Sequence, residues 1–150
     1  MINGMAVKIL SDVEVNAWAS NQHEFHGVTA LKHLFGYSKT NATAHCFYLH
    51  NGGIEGPEIC DLTWYDAREN HPTRSEYRLY YDSHFFNRYA NAGDTMVLTI
   101  DENYFVNIFV VARGTYAANC LVNTLVRGIN TDYQIINDQR QINAVLSMLE

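Results

Sequence analysis

The chain has 150 residues, 47% of them hydrophobic, which suits one globular domain with a buried core spanning 1–150. Ten Lys and Arg stand against sixteen Asp and Glu, and the net charge of −6 argues against gripping nucleic acid by bulk charge. It leaves room for a few focused cationic contacts. Lys8, Lys32 and Lys39 are the only lysines, so every fixed positive charge beyond residue 40 is arginine. Cys46, Cys60 and Cys120 have no CxxC spacing, which speaks against a disulfide framework or a thiolate zinc site. Free thiols packed in a core are expected instead. No apolar run approaches the ~18–20 residues of a membrane span. The first ten residues lack the shape of a signal peptide, so the chain reads as cytoplasmic with no membrane partner.

In chain order, residues 6–10 read as a short strand, and the polar run SNQHEFH at 20–26 as a loop. Residues 27–36 read as one helix, with Val28, Leu31, Leu34 and Phe35 at helical spacing and Gly36 at its end. From residue 42 the pattern turns to β. Strands are expected over 44–50, 58–66, 76–81, 95–100 and 104–112. Asn51-Gly52-Gly53 and Asp101-Glu102-Asn103 supply turn signals, and the last strand looks central and buried. Residues 117–127 read as a helix, and 133–149 as a closing helix with Ile135, Ile136, Ile142, Val145, Leu146 and Leu149 near one stripe. The order predicts an α+β fold, mostly antiparallel, with a strongly twisted sheet or partly open barrel and flanking helices.

Several chemistries are disfavoured. A restriction-type nuclease centre needs an (Asp/Glu)-x-Lys element, and the residues two before the lysines are Ala6, Ala30 and Tyr37. The seven histidines include His23 and His26 three apart and His45 and His50 on one strand, but no HExxH accompanies them. No Gly-x-Ser-x-Gly elbow, phosphate-binding loop or GxGxxG is present. The expectation is a non-enzymatic domain without metal or cofactor.

The most unusual stretch is AREN-HPTRSEYRLYY over 67–81. Arg68, Arg74 and Arg78 interleave there with Asn70, His71, Ser75, Glu76 and three tyrosines. If 76–81 is a strand, Glu76, Arg78 and Tyr80 share a face, and a continued extension adds Arg74. An Arg-x-Glu-x-Arg face suits the major groove. Arginine forks onto guanine O6 and N7, while glutamate accepts from cytosine N4 or orients its neighbours. An ordinary solvated strand face with weak Arg–Glu pairs carries the same pattern.

The run Thr73-Arg74-Ser75-Glu76-Tyr77-Arg78-Leu79 resembles the Thr-Arg-Asn-Glu-x-Arg-(Leu/Ile) motif in the N-terminal effector-binding domain of EcoRII-type restriction endonucleases. Trp64-Tyr65-Asp66 sits where that family has a strand ending Tyr-Tyr-Asn. Asn107-Ile108-Phe109-Val110-Val111 is similar to its second apolar strand. The loop at 20–26 and the Leu34-Phe35-Gly36 ending resemble its first recognition loop and following helix. The resemblance covers about 17–118, with helices to 150. It implies a DNA-binding pseudobarrel whose two arms clasp double-stranded DNA from the major groove at a short defined site. By that resemblance Arg74, Ser75, Glu76 and Arg78 form one arm, Asn21, Gln22, His23 and His26 the other, and Arg68 and His71 lie in the approach loop within reach of phosphate. The implied role is an effector or specificity module of a restriction-modification system, working alone or with a separately encoded nuclease. The competing expectation is an acidic protein-interaction module, such as a nuclease inhibitor or partner, on the same fold.

Overall fold

The computed structural model describes residues 2–15, 24–25, 31–82, 85–125 and 134–149. Among the described residues eight strands form one sheet: β1 (Ile2–Ile9), β2 (Glu24–Phe25), β3 (Thr40–His50), β4 (Gly53–Asp66), β5 (Tyr77–Tyr81), β6 (Thr95–Asp101), β7 (Phe105–Val111) and β8 (Gln134–Ile136). The helices of the described residues are α1 (Asp12–Val15), α2 (Lys32–Phe35), α3 (Phe85–Tyr89), α4 (Tyr116–Thr124) and α5 (Gln139–Met148). The strand order is β2-β5-β4-β3-β7-β6-β1-β8, and the sheet curls into a half-barrel. The fold is α+β.

The expected mostly antiparallel sheet needs correction, because β3 and β7 run parallel at its centre, from Thr43 beside Phe105 to Leu49 beside Val111. The cause is the crossing between β5 and β6. The β3–β4–β5 meander builds outward on one side of β3. Helix α3 then carries the chain back, its Phe85 and Phe86 buried in the hollow of the curl. The β6–β7 hairpin therefore docks on the other side of β3, in the same direction. Sequence alone shows the hairpins but not this crossing, since α3 spans only five residues.

Period-2 alternation decides which side chains fill the hollow. Ala42, Ala44 and Cys46 of β3, Cys60, Leu62 and Trp64 of β4, Leu79 and Tyr81 of β5, and Val106, Ile108 and Val110 of β7 all join the inner core. Among the described residues the outer face is covered at one end. There α4 and α5 pack Leu121, Leu125, Ile142, Val145 and Leu149 onto Met5, Val7, Val97 and Val111. Strand β6, buried on both faces, accordingly reads as the near-continuous apolar run TMVLTI. At the other end the outer face of β4 and β5 is open, which is where the arginines lie.

Two boundaries differ from the sequence reading. The tail is not one helix. Ile135 and Ile136 belong to β8, paired with Ala6 and Met5 of β1, and α5 starts only after Asp138, whose carboxylate accepts from the Arg140 and Gln141 N–H groups. The β-branched pair and that N-cap separate the two elements. The helix expected over 27–36 is described from residue 31 onward, and only Lys32–Phe35 is α-helical. No helix of the described residues is long and apolar enough to cross a membrane.

Candidate nucleic-acid interface

The β4–β5 hairpin projects the stretch singled out in the sequence. Its ladder closes at Asp66 opposite Tyr77 and Tyr65 opposite Arg78, leaving residues 67–76 as the loop. Asp66 organises that loop from its first position, as an aspartate does where it turns the chain back on itself. Its Oδ1 accepts from the Arg68 N–H at 2.9 Å and the Glu76 N–H at 2.7 Å, and the Ala67 N–H donates to the Glu76 carbonyl at 2.7 Å. The two ends of the loop are thereby tied together. The far side is braced by His71, whose Nδ1 accepts from the Thr73 and Arg74 N–H groups at 3.2 and 3.1 Å. The ring proton therefore sits on Nε2.

Glu76 is the hub of the charges. One carboxylate oxygen takes Arg68 Nε at 3.0 Å and the other takes Arg78 Nη2 at 3.3 Å. All three side chains are a third to a half exposed, so the pairs add little stability. Their effect is geometric: one carboxylate sets two guanidinium groups in fixed orientations on the open face. Arg74, exposed on the loop, has no carboxylate partner among the described residues. Ser75 is exposed beside it.

The hydrogen bond from Arg68, and then the charge of Arg78, hold the Glu76 carboxyl below the usual glutamate range. The Glu76 and Arg68 N–H groups do the same for Asp66, helped by the charge of Lys32. A depressed folded value means the contribution to loop order is complete above the unfolded range and is lost as pH falls through the folded value. Loop order is thus expected to be flat through neutrality and to fail only in acid. Carboxyl chemical shifts followed by NMR give the check. Glu76 should titrate below a free glutamate, and Arg68→Ala should move its midpoint up. A midpoint in the ordinary range for the unaltered protein would contradict the arrangement.

The predicted residues are thus distributed unevenly. Glu76, Arg78, Arg68, Arg74, Ser75 and His71 come together on one hairpin. Arg74 departs from the expected strand face, because β5 begins only at Tyr77, and Arg68 takes its place as the second arginine on Glu76. His71 is engaged within the loop through Nδ1. Asn21, Gln22, His23 and His26 lie outside the described residues. Glu24 and Phe25, which are described, pair with Tyr80 and Leu79 of β5.

The brace Asp66 was missed by the sequence reading, although an Asp opening a polar stretch is an ordinary loop signal. Elsewhere, Cys46 and Cys60 are buried on neighbouring strands, and a hydrogen bond with Cys60 together with burial pushes the Cys46 thiol up, so it packs as a neutral side chain. Among the described residues no three His, Cys, Asp or Glu side chains converge as metal ligands would. No protein-family model and no curated protein matches the chain.

Proposed function

We propose that this protein recognises a short site in double-stranded DNA through the β4–β5 hairpin, with the half-barrel serving as a DNA-binding pseudobarrel and residues 20–26 as the second arm. The observation that carries the reading is the Glu76 carboxylate holding Arg68 and Arg78 on an exposed face, beside Arg74, which has no carboxylate partner among the described residues. Guanidinium forks held in this way match guanine O6 and N7, and Glu76 retains acceptor capacity for a cytosine amino group. The Thr-Arg-Ser-Glu-Tyr-Arg-Leu run and its resemblance to the effector-binding domain of EcoRII-type endonucleases support the same role. In that role the chain supplies specificity and a separate nuclease supplies cleavage.

Selection from a pool of randomised duplexes at stated salt tests the reading. Enrichment of a short G·C-containing site is the expected result; a pool left unenriched after several rounds would sink it. The competing reading, an acidic module that binds a nuclease, rests on the net charge of −6 and on Ile59 and Phe105, which are 65% and 46% exposed. It predicts the unenriched pool together with stoichiometric binding to a nuclease protein in the absence of DNA.

A further inference from the structure

The sequence reading left Lys32 and Lys39 without a role. Both sit beside the arginine hairpin, because the β3–β4 ladder starts at Thr40 opposite Trp64, which places residues 36–39 next to the strand end that carries Asp66. That segment is firmly seated. Gly36 has φ +79°, a conformation that favours glycine, and its carbonyl accepts from Trp64 Nε1 at 3.0 Å. The Tyr77 hydroxyl donates to the Tyr37 carbonyl at 2.7 Å, and Thr40 Oγ1 donates to the Ser38 carbonyl at 3.0 Å. Behind it Phe35, Trp64 and Tyr77 form a continuous stack, with ring centroids 5.5 and 5.2 Å apart. Tyr37, 75% exposed, meets the Tyr77 ring edge to face at 6.3 Å.

Lys32 Nζ lies 4.8 Å from the Tyr77 ring centroid and 5.8 Å from that of Tyr37. These two faces hold the ammonium without neutralising it, since a cation over a ring keeps its full charge. Its charge acts on the Asp66 carboxylate, whose Oδ1 already accepts two backbone N–H groups. Neither Lys32 nor the exposed Lys39 has a carboxylate partner among the described residues. The cations at this end of the molecule therefore fall into two kinds. Arg68 and Arg78 are orientated by Glu76, whereas Lys32 and Lys39 form no ion pair with a carboxylate among the described residues.

We infer that Lys32, held against Tyr37 and Tyr77, and the exposed Lys39 form a phosphate-binding ledge that takes the sugar–phosphate backbone of the duplex flanking the site read by the hairpin. Lysine is a compact point charge suited to phosphate rather than to base edges, and the Tyr37 hydroxyl adds a donor on the same ledge. The inference rests on the proposed DNA recognition and assigns it a second, sequence-independent contact.

The test measures Kd for the enriched duplex and for a scrambled duplex of equal length across a series of salt concentrations. Wild type, Lys32→Gln, Lys39→Gln, the double variant and the charge-retaining Lys32→Arg are compared. Each Gln substitution is expected to weaken both duplexes by a similar several-fold factor and to lower the slope of log Kd against log salt by about 0.9. The ratio of the two affinities should stay at the wild-type value, and Lys32→Arg should keep the wild-type slope. A double variant with the wild-type slope overturns the ledge and leaves hairpin recognition standing. A collapsed affinity ratio also overturns it, by making the lysines base readers. A wild type that binds both duplexes equally, with a slope that falls in the variants, removes the specific-recognition reading and supports the ledge. A wild type that binds neither duplex overturns both.

Discussion

Glu14→Ala is expected to destabilise the fold by about 3–5 kcal/mol, because it removes one member of a buried ion pair. Lys8 is 1% exposed, and its Nζ lies 2.6 Å from Glu14 Oε2, whose side chain is fully buried. The other oxygen, Oε1, accepts from the Ser11 N–H and the Ser11 hydroxyl, each at 2.8 Å. Glu14 thus neutralises Lys8 and caps α1 from the same carboxylate. The main chain at this point is held as well: the Tyr81 hydroxyl donates to the Glu14 carbonyl at 2.6 Å and Asn87 Nδ2 to the Val15 carbonyl at 3.0 Å. Tyr81 belongs to β5, the strand that also carries Arg78. One buried cluster therefore fixes the end of α1 relative to the hairpin strand. Urea unfolding at neutral pH measures the loss. Lys8→Met combined with Glu14→Gln removes the charge and retains an acceptor for Ser11, so it should recover most of the stability. A Glu14→Ala variant within about 1 kcal/mol of wild type would show that water or another group already compensates Lys8.

This cluster also marks where sequence reading succeeds and where it runs out. Ser11-Asp12-Val13-Glu14 has the Ser-x-x-Glu form of a capping box, and the Ser11 N–H to Glu14 bond is its signature. It was legible, but a four-residue helix has no apolar period to draw attention to it. The partner Lys8 was not legible as buried, since a strand running polar and apolar by turns presents lysine to solvent far more often than to a core. The open hairpin end of the sheet was readable for the opposite reason. Strands β4 and β5 bury one face only, so Leu62, Trp64, Leu79 and Tyr81 alternate with polar neighbours and the register follows from the pattern. The parallel β3–β7 pairing depends on where α3 takes the chain, and no local period encodes it. Arg74, Glu76 and Arg78 were identified as a set from spacing. That Glu76 would choose Arg68 across the loop over Arg74 depends on β5 starting at Tyr77, one residue later than the apolar run implies.

The arginines then make separable predictions for DNA. Arg78→Ala and Arg74→Ala are each expected to cost about 1–3 kcal/mol at the enriched site, or roughly 5–150-fold in Kd, and to relax preference at one base position. The two differ in how they depend on Glu76. Arg78 is orientated by that carboxylate, so Glu76→Gln, which keeps the shape and removes the charge, should weaken binding mainly through Arg78 and Arg68. The double variant Glu76→Gln with Arg78→Ala should then lose less than the sum of the single losses. Arg74 has no carboxylate partner among the described residues, so its loss should add to that of Glu76→Gln nearly in full. Fluorescence anisotropy on the enriched duplex and on duplexes substituted one base pair at a time measures both affinity and the position relaxed. Equal losses on all duplexes for Arg78→Ala would reassign it from base to phosphate. Wild-type affinity in both arginine variants would remove the hairpin from the interface altogether. The net charge of −6 bears on the same experiment. With few cations available for phosphate, the wild-type salt slope should be shallow, and discrimination between duplexes should survive a rise in salt better than total affinity does. A steep slope would mean that many more charges reach the backbone than the hairpin and the lysine ledge supply.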